Sequence, residues 1–440
     1  MRIPSAALAL ALALVPTAAP APARADPLTP IVFVHGQQGS AQQWQSNAKR
    51  FSGNGVPDAL LHAYEYDTSI PTNDHAVAGL EAFVAAVKAR TGASQVDVIA
   101  HSRGTTVLHT YLSDPERAAS VRKYVNVDGR SSAALPGGVP TLALWGSAQP
   151  TGSIGGATNV YLTTLGHTET TTSADGFAPM YRFLRGRPAL TTRVVPELPA
   201  LVRISGRATY YPQNTGVEGV VQVWDVDSRT GARLGGPRHG VRTGPDGSFG
   251  PLPVNGRTHY ELVVLRDGEP PHHHYFEPFE RSDRFVRLQV SRPGGITDTI
   301  DRCATHSALT VVRNREWWSD QPDRDRLELN GVDVLGPAVS PKLRQVLAAF
   351  LFDDNCDRVS TPGVVLPPFT TLPFLTAVDA YLPARPDAAG TIRVTQAPRG
   401  GEGRTRTIAV PNWPSDTHSV TVQFKDYLDG ATGGWSAASP

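Results

Sequence analysis

An α/β domain built on a mostly parallel sheet, followed by β-sandwich domains, is the fold class predicted for this 440-residue chain. Three observations predict it. From Pro30 to about Arg187 short apolar runs alternate with stretches of helical periodicity. After Pro188 that periodicity largely disappears, and short strand-like runs alternate with turn signals. The length exceeds what one core usually serves and calls for two or three domains.

The elements justify this in order. Arg2 precedes an apolar run from Ala6 to Val15, and Ala23-Arg24-Ala25 has the small-x-small form of a signal-peptidase site. A signal peptide over residues 1–25 is expected, with export of a soluble mature protein, since the run is too short to span a bilayer. Ile31 to Val34 suits a strand covered on both faces. Ala59–Tyr66, Gln95–Ala100, Val121–Val127, Thr141–Trp145 and Asn159–Thr163 read as further strands. Ala76–Ala89 carries Val77, Leu80, Val84 and Val87 at helical spacing, and Phe177–Leu184 reads as a closing helix. Strands separated by helices imply parallel pairing with right-handed crossovers. This first domain is expected over residues 26–187, and a proline-marked linker over 188–199.

The second domain is expected over residues 200–294. Val202–Thr209, Val217–Asp227, Ser248–Leu252, Thr258–Arg266 and Arg284–Val290 read as its strands, with Gly244-Pro245-Asp246-Gly247 as a turn. The third, over 295–440, reads as another β-rich unit able to pack with the second as one lobe. It has a helix expected over Pro341–Phe350, a strand near Ser419–Phe424 and a frayed tail from Gly430. Cys303 and Cys356 are the only cysteines, and in an oxidising compartment one disulfide is the economical reading.

The strongest chemical signal is Val96-Asp97-Val98-Ile99-Ala100-His101-Ser102-Arg103-Gly104. An apolar strand runs into a serine, and Thr105–Leu112 can form the helix that follows. A nucleophilic serine on a tight turn needs small residues two before and two after it, here Ala100 and Gly104. His35-Gly36-Gln37-Gln38-Gly39 follows the first strand and can supply one oxyanion-binding N–H, from Gln37; the second would come from Arg103. His35 itself reads as structural. His167, after the last strand and before the closing helix, is the candidate base; His62, His75, His101 and His109 sit in less suitable contexts. Asp128 ends a strand at the carboxyl edge and is the candidate acid. Asp97 lies within a strand, and Asp175 would break the chain order Ser…Asp…His.

With these residues in place the chain resembles the small secreted bacterial and archaeal lipases of the α/β-hydrolase fold. The His35-Gly36 loop, Ala100-His101-Ser102-x-Gly104, Asp128-Gly129 and Gly166-His167 carry the resemblance, over roughly residues 30–187. The layout also resembles archaeal lipases in which a β-rich lobe assists long-chain substrates. The span from Ile204-Ser205-Gly206 to Tyr260 resembles carboxypeptidase-regulatory-like, transthyretin-like sandwiches, which implies a non-catalytic module. Arg103 and Gln37 depart from the family by standing where apolar residues are frequent. No insertion is large enough for a long lid, so either the site is open or the β lobe covers it.

The resemblance implies acyl transfer to water on a lipid ester of medium or long chain at an oil–water interface. A short-chain esterase, a polyester depolymerase and a non-catalytic binding protein remain as alternatives. This chemistry requires no cofactor or metal, and a monomer is expected. With 41 basic and 40 acidic residues nothing points to nucleic acid. His272-His273-His274 reads as an exposed loop rather than a metal site, and Asp353-Asp354-Asn355-Cys356-Asp357 lacks the spacing of a calcium loop. Trp317, Trp318 and Trp413 fit lipid contact and core packing equally well.

Overall fold

A computed structural model of the chain describes residues 29–428 and the backbone of 436–437. The expected signal peptide and most of the expected tail lie outside these residues. In the first domain the strands are β1 (Ile31–Val34), β2 (Leu61–Tyr64), β3 (Val96–His101), β4 (Val121–Val127), β5 (Thr141–Trp145) and β6 (Thr158–Tyr161). The helices are α1 (Gln45–Gly53), α2 (Asp74–Thr91), α3 (Arg103–Leu112), α4 (Pro115–Ala119), α5 (Glu169–Thr172) and α6 (Ala174–Arg185).

All six strands are parallel, in the order β2-β1-β3-β4-β5-β6. Alternation along β1 divides the core: Val32 and Val34 pack with Leu80, Val98 and Tyr111 on one face. Ile31 and Phe33 pack with Trp44, Phe51, Phe177 and Tyr181 on the other. The strand order reverses between β1 and β3, so their following loops diverge and leave a crevice at the carboxyl edge. Asp97, inside β3, is held by Arg122 at 2.5 Å and Arg185 at 3.7 Å and serves the fold.

Beyond the linker lie β7 (Arg203–Tyr210), β8 (Gly219–Val226), β9 (His239–Thr243), β10 (Ser248–Pro253), β11 (His259–Leu265), β12 (His272–Phe276) and β13 (Asp283–Val290). They are followed by β14 (Leu309–Val312), β15 (Arg326–Leu329), β16 (Val332–Asp333), β17 (Ala348–Phe352), β18 (Leu375–Asp379), β19 (Thr391–Ala397), β20 (Arg404–Pro411), β21 (Ser419–Gln423) and β22 (Ser436–Ala437). A three-stranded sheet, β10-β7-β13, and a five-stranded one, β16-β15-β19-β20-β22, flank the largest sheet. That sheet runs β18-β17-β14-β21-β12-β11-β8-β9 and draws strands from both sides of residue 295. The two β regions thus share a continuous backbone ladder through the parallel pairing of β12 with β21.

Two local expectations are corrected. The histidine run is no exposed loop: His272, His273 and His274 form buried β12 at the centre of the large sheet. Each imidazole has a polar neighbour that offsets its burial: Thr421 at 2.8 Å, Glu261 at 2.5 Å and Gln423 at 3.4 Å, respectively. Pro341–Phe350 is no helix. Lys342–Arg344 makes one 3-10 turn, Gln345 adopts φ 54°, and Ala348 onward enters β17, buried along its whole length. A short apolar run between turn signals does not distinguish a buried strand from a helix, and pairing with β14 and β18 decides it. Trp317 and Trp318 are buried and Trp413 packs against the third domain's core, so all three serve packing.

Cys303 and Cys356 are disulfide-bonded, with Cα atoms 6.4 Å apart. Among the described residues no helix is long and apolar enough to cross a membrane.

Candidate active site

The loops after β1, β3, β4 and β6 converge in the crevice. Ser102 sits between β3 and α3 with φ 52° and ψ −124°, a conformation a non-glycine residue adopts only when its surroundings enforce it. They do so by crowding. A Cβ on Gly104 would lie 2.5 Å from the His35 carbonyl oxygen, and one on Gly36 would lie 2.9 Å from Ser102 Cβ. The small residue after the serine and the glycine in the first loop are therefore spatial requirements of the same turn. Ser102 N–H donates to the Val127 carbonyl at 3.0 Å, and Thr105 N–H and Oγ1 donate to the Ser102 carbonyl at 2.9 and 2.7 Å. Ser102 Oγ has no hydrogen-bond partner among the described residues and lines the cavity.

Asp128, at the end of β4 with φ 42°, accepts from Gly146 N–H at 2.7 Å through Oδ1. Its Oδ2 accepts from His167 Nδ1 at 2.7 Å, which leaves Nε2 as the other face of that imidazole. Both side chains are nearly inaccessible to solvent, and His167 lines the same cavity as Ser102. An acid that fixes the imidazole tautomer, a histidine and a free serine hydroxyl are the parts of an activated nucleophile.

The backbone N–H groups of Gln37 and Arg103 donate to no acceptor among the described residues. Arg103 begins α3, where the helix dipole favours negative charge. The Arg103 side chain does not line the cavity. It donates to Gln37 Oε1 at 2.6 Å, Asn73 Oδ1 at 2.9 Å and the Thr68, Ile70 and Thr72 carbonyls at 3.0, 2.6 and 2.9 Å. It thereby ties the first loop to the segment before α2.

Two other histidines are scaffold. His35 accepts from Tyr66 N–H at 3.3 Å and donates to the Gly36 carbonyl at 2.8 Å, stacked on Tyr66. Burial lowers its pKa to about 4, so the ring is neutral. His101 is likewise pushed well below its ordinary value by burial, then by the neighbouring His167. Gln43 Oε1 takes the Gly36 N–H at 3.4 Å, so Gln43 Nε2 donates to His101 Nδ1 at 2.6 Å. That fixes the tautomer, and His101 Nε2–H donates to the His167 carbonyl at 3.0 Å. Gln43 carries no signal in the sequence, because its place between the first loop and the end of β3 is purely tertiary.

The cavity leaves the first domain at once. Its far wall comes from both β regions: Val290, Ile296, Val312, Leu347, Phe350 and Phe374 are apolar, while Tyr211, His272, Thr421 and Gln423 add polar groups. The β lobe therefore covers the crevice, and no pattern in the sequence placed those residues there.

A parallel sheet in this order, with a strained serine turn at its reversal point, defines an α/β-hydrolase. Residues 28–113 match the family model for class 2 lipases, residues 200–293 that for the lipase C-terminal domain, and residues 295–428 a third C-terminal-domain model. The chain is a lipase-like hydrolase of the α/β-hydrolase fold with a β-rich C-terminal region. No curated protein matches it. Among solved structures, the lin2722 gene product of Listeria innocua is 14% identical, with TM-score 0.30, covering 38% of this chain and 97% of that one. Lipase B of Aspergillus fumigatus gives 14% identity, TM-score 0.30 and coverage of 38% and 54%. A predicted CIB-like hydrolase from Thermoplasma acidophilum gives 14%, TM-score 0.27 and coverage of 37% and 89%.

Proposed function

We propose that the chain is an exported, monomeric serine carboxylester hydrolase, a lipase acting on medium- or long-chain acylglycerol esters at an oil–water interface. His167 takes the proton from Ser102 Oγ as the oxygen attacks the ester carbonyl, and Asp128 stabilises the resulting imidazolium. The N–H groups of Gln37 and Arg103 bind the oxyanion, where one donor is worth roughly a hundredfold to a thousandfold in rate. His167 then protonates the leaving alcohol and activates the water that releases the fatty acid. No step calls for a cofactor.

The observation that carries the substrate class is the cavity at Ser102, whose far wall is built of Val290, Ile296, Val312, Leu347, Phe350 and Phe374. An apolar surface next to the nucleophile favours an alkyl chain over a polar acyl group, since each buried methylene contributes about 0.8 kcal/mol. The disulfide supports export.

Hydrolysis of p-nitrophenyl esters from short to long acyl chains, by the mature protein and by Ser102→Ala, tests the reading. The expected result is long-chain activity that disappears in the variant. Preference for short chains points to an esterase, and release of monomers from a polyester film to a depolymerase. A wild-type protein that hydrolyses no ester overturns the reading.

A further inference from the structure

The segment carrying His167 is fastened from another domain. Thr168 N–H and Glu169 N–H, the two amides that follow the histidine, donate to Glu316 of the third domain, the second at 3.1 Å. The amide before the histidine, Gly166 N–H, donates to Glu169 Oε2 at 3.0 Å. The Glu169 carboxylate is in turn held by Arg315 at 2.6 Å and Arg399 at 2.5 Å, both from the third domain. A Cβ on Gly166 would lie 2.2 Å from Glu316 Oε2, so the glycine is required by the carboxylate seated against it.

Glu316 is itself fixed. It is fully buried, and its main-chain carbonyl accepts from Arg313 at 2.8 Å and from Arg399. Those two arginines share Asp325, at 2.9 and 2.6 Å. Within the first domain His167 is held by the Asp128 carboxylate at Nδ1 and by His101 Nε2–H and Thr170 Oγ1, which donate to its carbonyl at 3.0 and 2.6 Å. The two amides that follow it are held from the third domain instead.

We propose that Glu316 is a positioning residue for His167: it accepts the two amide protons beyond the histidine and so sets the distance from His167 Nε2 to Ser102 Oγ. The inference rests on the reading of His167 as the base. Removing the carboxylate leaves two buried N–H groups without an acceptor, and the turn relaxes to satisfy them. A displacement of about 1 Å between reacting groups can cost about a hundredfold in rate. The active site of this chain is therefore complete only when the third domain is docked.

General adhesion of the β lobe to the first domain does not account for this arrangement, because buried ion pairs to the second domain, which is continuous with the third through the shared sheet, supply it. Lys49 meets Asp283 at 2.6 Å, and Glu65 meets Arg287 at 2.7 Å, neither touching the His167 segment. The test uses the full chain with Glu316→Ala, Glu316→Gln, Lys49→Met as a docking control, and Ser102→Ala. Thermal melts identify the folded variants. kcat and KM are measured on a short soluble p-nitrophenyl ester, together with the rate at which a fluorophosphonate labels Ser102.

Glu316→Ala is expected to lower kcat and the labelling rate roughly ten- to a hundredfold with KM little changed. Glu316→Gln keeps one acceptor oxygen and should fall in between, while Lys49→Met should retain wild-type kcat. A folded Glu316→Ala with wild-type kcat overturns the proposal, as does an equal loss in Lys49→Met. If Glu316→Ala does not fold, Glu316→Gln decides: an unchanged kcat and labelling rate overturn the proposal. Activity surviving in Ser102→Ala would defeat the underlying catalytic reading instead, which separates the two failures.

Discussion

Glu65 offers the sharpest test of how the domains are joined. It follows β2 and is buried against the second domain, where Arg287 donates at 2.8 and 2.7 Å and Arg207 at 2.8 Å. Ala41 N–H adds a fourth bond at 2.8 Å. Burial alone would raise the carboxyl's pKa, but the two guanidinium groups and the amide together outweigh it and hold the group at about 2 against an ordinary 4.5. A folded-state value below the unfolded one means that protonation opposes folding. The contribution is complete above pH 4.5 and is lost as the pH falls to about 2. Its size at neutral pH is about 3 kcal/mol. Glu65→Gln fills the same space without the charge. Urea unfolding followed by tryptophan fluorescence, from pH 7 down to pH 2.5, should therefore show the variant less stable by about 3 kcal/mol at pH 7. The gap should shrink steadily below pH 4.5. Comparing the two proteins removes the other buried carboxylates, such as Glu169, which titrate in both. Equal stability at pH 7, or a gap that stays constant through the acid window, would refute the reasoning.

Two further outcomes follow from the site and the crosslink. Asp128→Asn would turn an N–H toward His167 Nδ1 and favour the wrong tautomer; kcat on a soluble ester should fall about ten-thousandfold with little change in the melting temperature. Reducing the Cys303–Cys356 bond, or replacing both residues by serine, frees a loop with a sequence separation of 53 and should cost up to about 4 kcal/mol, read as a lower melting temperature with dithiothreitol.

The first domain was legible because its signals are local. A buried strand, a serine flanked by Ala100 and Gly104, and the chain order Ser102, Asp128, His167 are properties of short segments, and a parallel sheet delivers their ends to one edge. The pairing of Asp128 with His167 at 2.7 Å follows from that order once β4 and the loop after β6 are adjacent. The β lobe was legible only in class. Three consecutive histidines look polar to any hydropathy reading, yet His272–His274 lie in a buried strand because Thr421, Glu261 and Gln423 reach them from other strands. Leu343 and Phe350 share a helical spacing, yet the first is 93% exposed and the second lines the cavity. The sequence by itself determined the sheet, the strained serine turn and the candidate triad, since each is encoded within a few neighbouring residues. Only the tertiary structure decided that the lobe closes over the crevice, that apolar residues of its strands and loops form the far wall, and that Glu316 grips the segment bearing His167. Those contacts join residues more than a hundred positions apart, and side-chain complementarity over such separations leaves no periodic trace in the chain.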